Sequence, residues 1–363
     1  MDRADRALAP RLRVAALALA ALAVAGIAGT PRPAHAASLV VTTLADNTAG
    51  DGQCSLREAM TNAIDATGTF ADCGFGGNSD TITFALSGTI TLGSQLPSIV
   101  GNAFFQNALE IDGTGRSIVI SGNDAVRHFH VAPVSKLTLK NLTIRDGRSP
   151  TAPARGGAVT NAGTLIVRNS AFVANAAINP FTGGSASAGV IAANAGSVTE
   201  VYGSSFTNNS AWASGVPSGS ASGGAISASG TATPDIRLIV DSSTFNGNSS
   251  DGSGAFGGAI ALGAGTLTAD IVNSTFTSNH AGSNSPAPGG GGAISSGAGL
   301  LEVSHSTFSF NYATGVAAVG GGIRQTGGTV TLLSSVLANL GPAGSPECSG
   351  TIVTGGVTSL AQA

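Results

Sequence analysis

Charge and polar aromatic rings are scarce in this sequence, and lysine is almost missing. Charged residues make up 10% of the 363 positions, and the only two lysines are Lys136 and Lys140. One tryptophan and two tyrosines argue against a dedicated aromatic platform for carbohydrates. The sequence also lacks a phosphate-binding loop, a calcium-binding GGxGxD repeat and a Ser-His-Asp motif. Nucleotide chemistry and calcium-repeat folding are therefore not predicted.

A helical period of apolar residues is also missing from most of the chain, which argues against a helical repeat. In its place a glycine-led segment recurs six times, as GGAV, AGVI, GGAI in three copies, and GGGI. The copies begin at Gly156, Ala188, Gly223, Gly257, Gly291 and Gly320. Each copy precedes a run of hydroxyl-bearing and β-branched residues, which favour strands and turns.

A second anchor follows each glycine-led segment and has the form aromatic-x-x-Asn. The five copies are Phe172/Asn175, Phe206/Asn209, Phe245/Asn248, Phe276/Asn279 and Phe308/Asn311. Val336/Asn339 is a sixth copy without the aromatic ring, and successive aromatic positions lie 34, 39, 31, 32 and 28 residues apart. Two recurring anchors with turns of variable length between them indicate stacked structural units.

The units predict an all-β fold, a right-handed parallel β-helix. In TLTADI the apolar Leu267, Ala269 and Ile271 alternate with polar residues, so the strand has one apolar face. A single unit cannot bury that face, whereas stacked units close a common core. We expect the Phe and Ile positions to stack inside and the Asn to bond neighbouring coils from a corner. The paired glycines should allow positive φ or close backbone approach.

The first 36 residues have the features of an export signal. Basic residues precede an apolar run from Val14 to Ala28, and AHA at Ala34–Ala36 supplies a small-x-small cleavage site. We therefore expect cleavage after Ala36 and an extracellular or cell-surface location. An uncleaved N-terminal anchor is the alternative.

The chain that remains after cleavage is acidic. Removing five arginines and two aspartates leaves 11 basic and 17 acidic residues, a net charge of −6. This charge argues against nucleic acid or an anionic membrane surface as a partner. No further apolar run reaches the roughly 20 residues of a membrane helix, so an integral membrane segment is not expected.

Residues 37–110 differ in texture from the repeats and contain one amphipathic helix pattern. Its apolar stripe consists of Leu56, Ala59, Met60, Ala63 and Ile64. Ser55 and Glu58 have the spacing of a capping box, and Gly68 supplies a stop. Such a helix would cap the first coils, which are predicted within 37–110, and the β-helix repeats would continue over residues 111–363 as a single solenoid domain.

The three cysteines divide into a pair and one left over. Cys54 and Cys73 bracket the helix and are predicted to form a disulfide in an exported chain. Closing a loop of about 20 residues stabilises by roughly 3 kcal/mol in the chain-entropy model. Cys348 is then free or paired between chains. The segment TIVTGGVTSLAQA at the end resembles a further coil that stops early, so the C-terminal cap is expected to be incomplete.

CSLREA at Cys54–Ala59, preceded by LVVTTLADNTAGDG, resembles the N-terminal motif of the CSLREA-domain proteins, which are exported bacterial β-helix proteins. The GGA[IV] and F-x-x-N repeats resemble those of the polymorphic outer membrane proteins, whose passenger regions are β-helical and adhesive. Together these resemblances imply a secreted or surface-exposed protein. The translocator barrel of the second family has no counterpart after Asn339. Within the motif, a functional Arg57–Glu58 pair is the alternative to the capping box.

One stretch, Asp112–Arg148, is dense enough in charge to suggest a site. Lys136 and Lys140 alternate with inward leucines, and after a shift of parity Arg145 also points outward. Such a basic strip could hold an acidic glycan, or it could be an ordinary solvated face.

The histidines and Trp212 give weaker signals. His128 and His130, two apart on one strand face, resemble half of a metal site without its other ligands. His280 is solitary and expected to be exposed, and Trp212 is expected in a turn. We therefore predict neither a metal site nor a cofactor.

The predicted function is that of a secreted or cell-surface scaffold, adhesin-like or structural, without catalysis. Its long faces would bind glycans or cell-surface proteins through weak contacts multiplied along the axis. The alternative is a secreted polysaccharide lyase or glycoside hydrolase, pectate-lyase-like, that uses Lys136, Lys140 and Arg145. The oligomeric state is not predicted.

Overall fold

Short strands rich in β-branched residues stack coil upon coil in a computed structural model of the protein. The structure describes residues 37–101, 107–149, 152–214, 219–230, 235–263, 265–284, 289–316, 318–338, 346–356 and 358–359. Over these ranges the chain is a parallel β-solenoid with a single α-helix, which confirms the predicted fold class. The predicted signal peptide and its cleavage position lie outside the described residues.

Three long sheets enclose the core. Sheet 1 has 11 strands: Ser38–Val41, Ser79–Phe84, Asn107–Asp112, Ser135–Lys140, Thr164–Arg168, Val198–Tyr202, Ile236–Asp241, Leu267–Val272, Leu300–Ser304, Thr329–Leu333 and Ile352–Gly355. Sheet 2 has 10 strands: Gly88–Thr91, Ile118–Ser121, Thr143–Arg145, Ala171–Val173, Ser205–Thr207, Thr244–Asn246, Thr275–Thr277, Thr307–Ser309, Val336–Ala338 and Thr358–Ser359. Sheet 3 has eight strands: Phe129–Val131, Val159–Asn161, Ile191–Ala193, Ile226–Ala228, Ile260–Leu262, Ile294–Ser296, Ile323–Gln325 and Cys348–Ser349.

Two shorter sheets form a side lobe next to this core. Sheet 4 has six strands: Arg148–Ser149, Ala176–Asn179, Ser210–Ala213, Ser249–Gly252, His280–Ser283 and Tyr312–Thr314. Sheet 5 has four strands: Ala154–Arg155, Ala186–Ser187, Ser220–Ser222 and Gly254–Phe256. Small side chains fill the space between the two sheets, in two clusters that consist of Ala154, Ala177, Ala186, Ala211, Ala213 and Ala221, and of Ala255, Ala281 and Ala313.

Each coil passes through the sheets in the same order. One coil runs through Ile226–Ala228 in sheet 3, Ile236–Asp241 in sheet 1, Thr244–Asn246 in sheet 2, Ser249–Gly252 in sheet 4 and Gly254–Phe256 in sheet 5. The strands of one coil pair in parallel with those of the next. Equivalent residues of successive units therefore lie directly above one another.

The phenylalanines of the repeat form a continuous stack inside sheet 2, as predicted. Phe172, Phe206, Phe245, Phe276 and Phe308 are all fully buried. Centroids of neighbouring rings are 4.7–5.0 Å apart, and their planes lie within 10° of parallel. This separation equals the strand spacing, so the rings stack in step with the strands that carry them.

The asparagines of the repeat form a buried ladder, which confirms their predicted role. In Asn209 the side-chain amide donates to Oδ1 of Asn248, 2.9 Å away, and to the carbonyl oxygen of Phe172, 3.1 Å away. Its backbone N–H also donates to Oδ1 of Asn248. The same three bonds recur at Asn175 and Asn279. Each amide thereby satisfies buried backbone groups at a corner where the strand ladder is interrupted.

A parallel ladder of serines was not predicted. The backbone N–H of every serine in this ladder except the last donates to the hydroxyl of the equivalent serine in the next coil, and each hydroxyl donates to the carbonyl two residues before it. The members are Ser170, Ser204, Ser243, Ser274, Ser306 and Ser335. Serine two residues before the ring is thus a third anchor of the unit.

The serine ladder corrects the predicted register of the last unit. Leu337, which lies two residues after Ser335, pairs with Phe308 and is buried, whereas Val336 pairs with Thr307 and is 39% exposed. Val336 is therefore not the counterpart of the ring. Asn339 lies outside the described residues.

The two glycines of GGAI have separate functions, both within the prediction. Gly257 has φ +62°, a conformation that side chains disfavour. Gly258 has no such φ, but a Cβ there would collide with the carbonyl oxygen of Gly292 in the next coil. The first glycine makes the turn and the second lets two coils approach.

The predicted helix covers Leu56–Asp65 and caps the first coils. Ser55 and Glu58 form the capping box in both directions, and Leu56, Ala59 and Met60 are fully buried. The predicted stop was wrong: the helix ends at Ala66 in the left-handed conformation, before Gly68 is reached. The N–H of Ala66 donates to the carbonyl of Ala63, so the turn closes without glycine.

The predicted disulfide between Cys54 and Cys73 is present and ties the helix to the loop that follows it. Cys348 lies in the strand Cys348–Ser349 at the end of sheet 3 and is half-buried, with no disulfide partner among the described residues. Burial raises the pKa of the Cys348 thiol to about 11, which makes it a poor nucleophile at neutral pH.

Candidate functional site

The CSLREA motif is occupied by structural contacts. Cys54 forms the disulfide, Ser55 and Glu58 cap the helix, and Leu56 and Ala59 lie in the core. The backbone N–H of Ser55 donates to Oε2 of Glu58, 2.9 Å away, in a fully buried position. These contacts explain the motif structurally, because each of the residues named stabilises the N-terminal cap.

Arg57 completes this foundation. Its Nε and Nη2 donate to the two carboxylate oxygens of Asp46 at 2.8 and 2.9 Å, and its Nη1 and Nη2 donate to the carbonyls of Gln95 and Ser94. Arg57 and Glu58 bond to different partners, so structural contacts account for both residues of the pair considered from the sequence. Arg57 instead clamps two loops to the start of the helix.

The structure does not bring the predicted basic strip together. Lys136 and Lys140 lie on the outward face of sheet 1, and Arg145 lies on sheet 2 beyond a turn at Asn141. The predicted parity shift is correct, because Leu142 and Ile144 are buried.

Two of the three cations already have carboxylate partners. Nζ of Lys140 lies 2.8 Å from Oδ2 of Asp112, and this hydrogen bond raises the pKa of Lys140. Nε of Arg145 lies 3.4 Å from Oδ2 of Asp146. Lys140 paired with a carboxylate is a weak candidate for neutralising a uronate.

The two histidines of the predicted half metal site do not share a face. His130 is half-buried, and its Nδ1 lies 2.7 Å from Oγ1 of Thr160. His128 is fully buried, and its Nε2 lies 3.1 Å from the carbonyl oxygen of Ile120. Burial lowers the pKa of His128 to about 4, so the ring is neutral and donates to that carbonyl.

His128 takes the hydrogen-bonding role that an asparagine has in the later coils. Ile120, Ile144 and Phe172 are equivalent positions in successive coils, and the carbonyls of Ile144 and Phe172 are bonded by ladder asparagines. Gly147 stands where the next asparagine would be, and a Cβ there would approach His128 Cε1 to 2.6 Å. The imidazole therefore occupies the foot of the ladder. No group of three or more metal-ligating side chains occurs among the described residues.

A cluster that sequence reasoning missed lies on the outward face of sheet 4. Trp212 is in the strand Ser210–Ala213, not in a turn, and is 39% exposed. Asp251 pairs with it in the next strand, and His280 and Tyr312 follow in the two strands beyond. His280, expected to be solitary and exposed, is half-buried in this cluster.

His280 connects the groups of the cluster. Its Nδ1 lies 3.5 Å from Oδ1 of Asp251, its Nε2 lies 2.8 Å from Oγ1 of Thr314, and its ring stacks on Tyr312 with centroids 4.5 Å apart. Burial lowers the pKa of His280, and the Asp251 carboxylate opposes that change. The carboxylate favours the tautomer with a proton on Nδ1, in which Nε2 accepts from the Thr314 hydroxyl.

Gly282 makes room for this arrangement. It lies between Asp251 and Thr314 in register, and a Cβ there would collide with the Asp251 carboxylate and lie 2.7 Å from His280 Cε1. The side chains of Asp251 and His280 thus occupy the space that a side chain at position 282 would fill.

A signal for this cluster was present in the sequence. His280 and Tyr312 each follow a ladder asparagine by one residue, and Trp212, Asp251 and Thr314 each follow one by three. Because the asparagines stack, residues at equal distances from them occupy one column. Aligning the units on asparagine would have placed the five side chains on one face.

An open groove of about 630 Å³ follows the turns between sheets 1 and 2. Its lining includes Asn141, Asn169, Ser205 and Ser242, with Arg116 as its one charged residue. Arg116 donates to the carbonyl of Phe84. The groove offers hydrogen bonds but no acid–base pair.

No family model matches the chain, and a search of curated proteins finds no match either. Among the described residues the one helix has 10 residues, and none is long and apolar enough to cross a membrane.

Proposed function

We propose that this protein is an exported, adhesin-like scaffold that acts at the cell surface or outside the cell. Its proposed partners are glycans or surface proteins, bound along the faces of the solenoid. The resemblance of CSLREA and of the GGA[IV] and F-x-x-N repeats to exported β-helix proteins is consistent with this role.

The observation that carries the proposal is the contrast between neighbouring columns of sheet 1. One inward column consists of Ile111, Leu139, Val167, Val201, Val240, Ile271, Val303 and Leu332. The adjacent outward column consists of Glu110, Thr138, Ile166, Glu200, Ile239, Asp270, Glu302 and Thr331. A uniformly apolar core supports a surface whose chemistry varies along the axis between acidic, hydroxyl and apolar side chains, which suits binding over a long face.

The polysaccharide-degrading alternative is the weaker of the two. It needs a base and neutralising cations around one uronate, or two carboxylates around one glycosidic bond. The candidate residues Lys136, Lys140 and Arg145 instead lie on two sheets, and two of them are paired with Asp112 and Asp146.

Expression of residues 37–363 permits a direct test of both functions. We expect the folded protein to bind cells or immobilised glycans in a saturable manner. We also expect no unsaturated-sugar absorbance with acidic polysaccharides, with or without Ca²⁺. Absorbance that disappears in Lys136→Ala or Lys140→Ala would establish the lyase and contradict the scaffold.

A further inference from the structure

The outward face of sheet 4 combines exposed aromatic surface with a half-buried acid and imidazole. We propose that this face, formed by Trp212, Asp251, His280, Tyr312 and Thr314, binds a neutral oligosaccharide. The proposal rests on the adhesive function proposed above, because it names a ligand class and a site for that scaffold.

The two aromatic residues mark the ends of the site. Trp212 and Tyr312 lie three strands apart in sheet 4, which corresponds to about 14 Å along the axis. Trp212 is 39% exposed, and Tyr312 is half-buried with one ring face stacked on His280. Large rings with a polar tip suit a sugar, whose C–H groups pack on apolar surface while its hydroxyls bond to nearby polar atoms.

The polar groups between the rings match hydroxyl groups. The Asp251 carboxylate is 30% exposed, and its contact with His280 at 3.5 Å is longer than a hydrogen bond. Ionised carboxylate oxygens accept strong hydrogen bonds from hydroxyl donors. Asp251 would also repel uronate, sulfate or phosphate groups, which is why the ligand is neutral.

The bond from Thr314 to His280 keeps this surface in place. With its Nε2 satisfied by the Thr314 hydroxyl at 2.8 Å and its ring held against Tyr312, the imidazole has little freedom to turn. Polar groups fixed before binding lose less entropy when the ligand arrives. The stacked coils also hold the strands of sheet 4 in place, which further limits the entropy lost on binding.

Gly282 supplies a variant that disturbs the geometry without removing any functional group. Gly282→Ala would force the Asp251 carboxylate and the His280 ring out of their present positions. Gly282 does not have a positive φ, so alanine brings no backbone strain of that kind. A loss of binding in this variant therefore reports on the arrangement of the two groups.

Tryptophan fluorescence is a site-specific measurement here, since Trp212 is the only tryptophan of the chain. The folded protein would be titrated with neutral malto-, cello-, xylo- and manno-oligosaccharides, and with oligogalacturonate and sialyllactose as acidic probes. We expect at least one neutral probe to change the emission saturably and neither acidic probe to do so. Asp251→Asn and Gly282→Ala should each raise the Kd about tenfold or more.

Asp65→Asn is the matched control, because it makes the same chemical change at an exposed residue of the capping helix Leu56–Asp65, outside the faces proposed to bind. It should leave the Kd unchanged. The site is disproved if no neutral probe alters the emission, if only acidic probes bind, or if Asp251→Asn and Gly282→Ala bind like the unmodified protein. A chain that still adheres to cells while both variants behave normally would keep the proposed function and lose this site.

Discussion

The phenylalanine core and the alanine side lobe are built on the same coils but filled in opposite ways. In the core, stacked rings 4.7–5.0 Å apart fill the space between long sheets. In the side lobe, alanines hold sheets 4 and 5 close together. Large side chains supply burial, and small ones supply backbone proximity. We therefore expect large-to-small substitutions to destabilise the core and small-to-large substitutions to destabilise the side lobe.

The largest effect is expected from emptying the core at Phe245. The ring is fully buried between Phe206 and Phe276. Phe245→Ala therefore removes the stacking contacts with both neighbours and leaves a cavity. We expect a loss of about 3–5 kcal/mol in the free energy of unfolding. Urea denaturation followed by far-UV circular dichroism would measure it. Phe310→Ala is the control, because this ring is exposed, and it should change the stability little.

The next effect concerns the foot of the asparagine ladder, where His128 replaces the amide. Its pKa is about 4 in the folded protein and near 6.5 in the unfolded chain, so the unfolded chain binds more protons between these values. Stability should fall by about 3 kcal/mol as the pH drops through this window.

The contribution of His128 can be isolated with His128→Gln, which keeps an N–H donor for the Ile120 carbonyl and does not titrate. The difference in unfolding free energy between the two proteins should move by that amount between pH 7 and pH 4. A constant difference would mean that His128 has the same pKa in the folded and the unfolded protein, which would contradict the effect of burial.

Filling the side lobe should cost less than emptying the core. Ala211 is fully buried between sheets 4 and 5, and Ala211→Leu would push them apart at a cost of about 1–3 kcal/mol. Hydrogen exchange should quicken in Ser210–Ala213 and Ser220–Ser222 while Ser205–Thr207 in sheet 2 keeps its protection. Equal acceleration in all three strands would show that lobe and core are one cooperative unit.

The smallest expected effect is an increase in stability. Ala188 stands at the first glycine position of its unit with φ +60°, where Gly223 has φ +66° in the next coil. Ala188→Gly should relieve strain and stabilise by about 1 kcal/mol after the entropy of glycine is counted. Gly223→Ala is the reverse change and should destabilise at least as much. Thermal unfolding of the two variants would compare them.

Periodicity made the fold predictable, because each anchor is repeated and has one physical explanation. Phenylalanine, asparagine and paired glycine were read correctly, since burial, amide bonding and positive φ are properties of single residue types. The last unit was misread because valine and leucine both resemble a core position. Only the serine before them, whose bond is formed with another coil, distinguishes Leu337 from Val336.

The candidate site was not predicted, for a related reason. Asp251, His280 and Thr314 belong to three units and come together only through the pairing register. The charged stretch at 112–148 suggested a site because its charged residues are close together in sequence. In a solenoid, however, neighbours along the axis are about one coil apart in sequence, so local density is a poor guide to a site.

The asparagine ladder also gives the molecule a direction. In every amide-to-amide bond, from Asn175 to Asn279, the donor lies in one coil and the acceptor oxygen in the next coil toward the C-terminus, and the serine ladder runs the same way. Such chains of aligned bonds polarise one another. Because each joint has the same donor and the same acceptor, removing or adding one whole coil leaves every joint intact. The length of the solenoid, and with it the length of each outer face, can change by whole units without redesign of the interior.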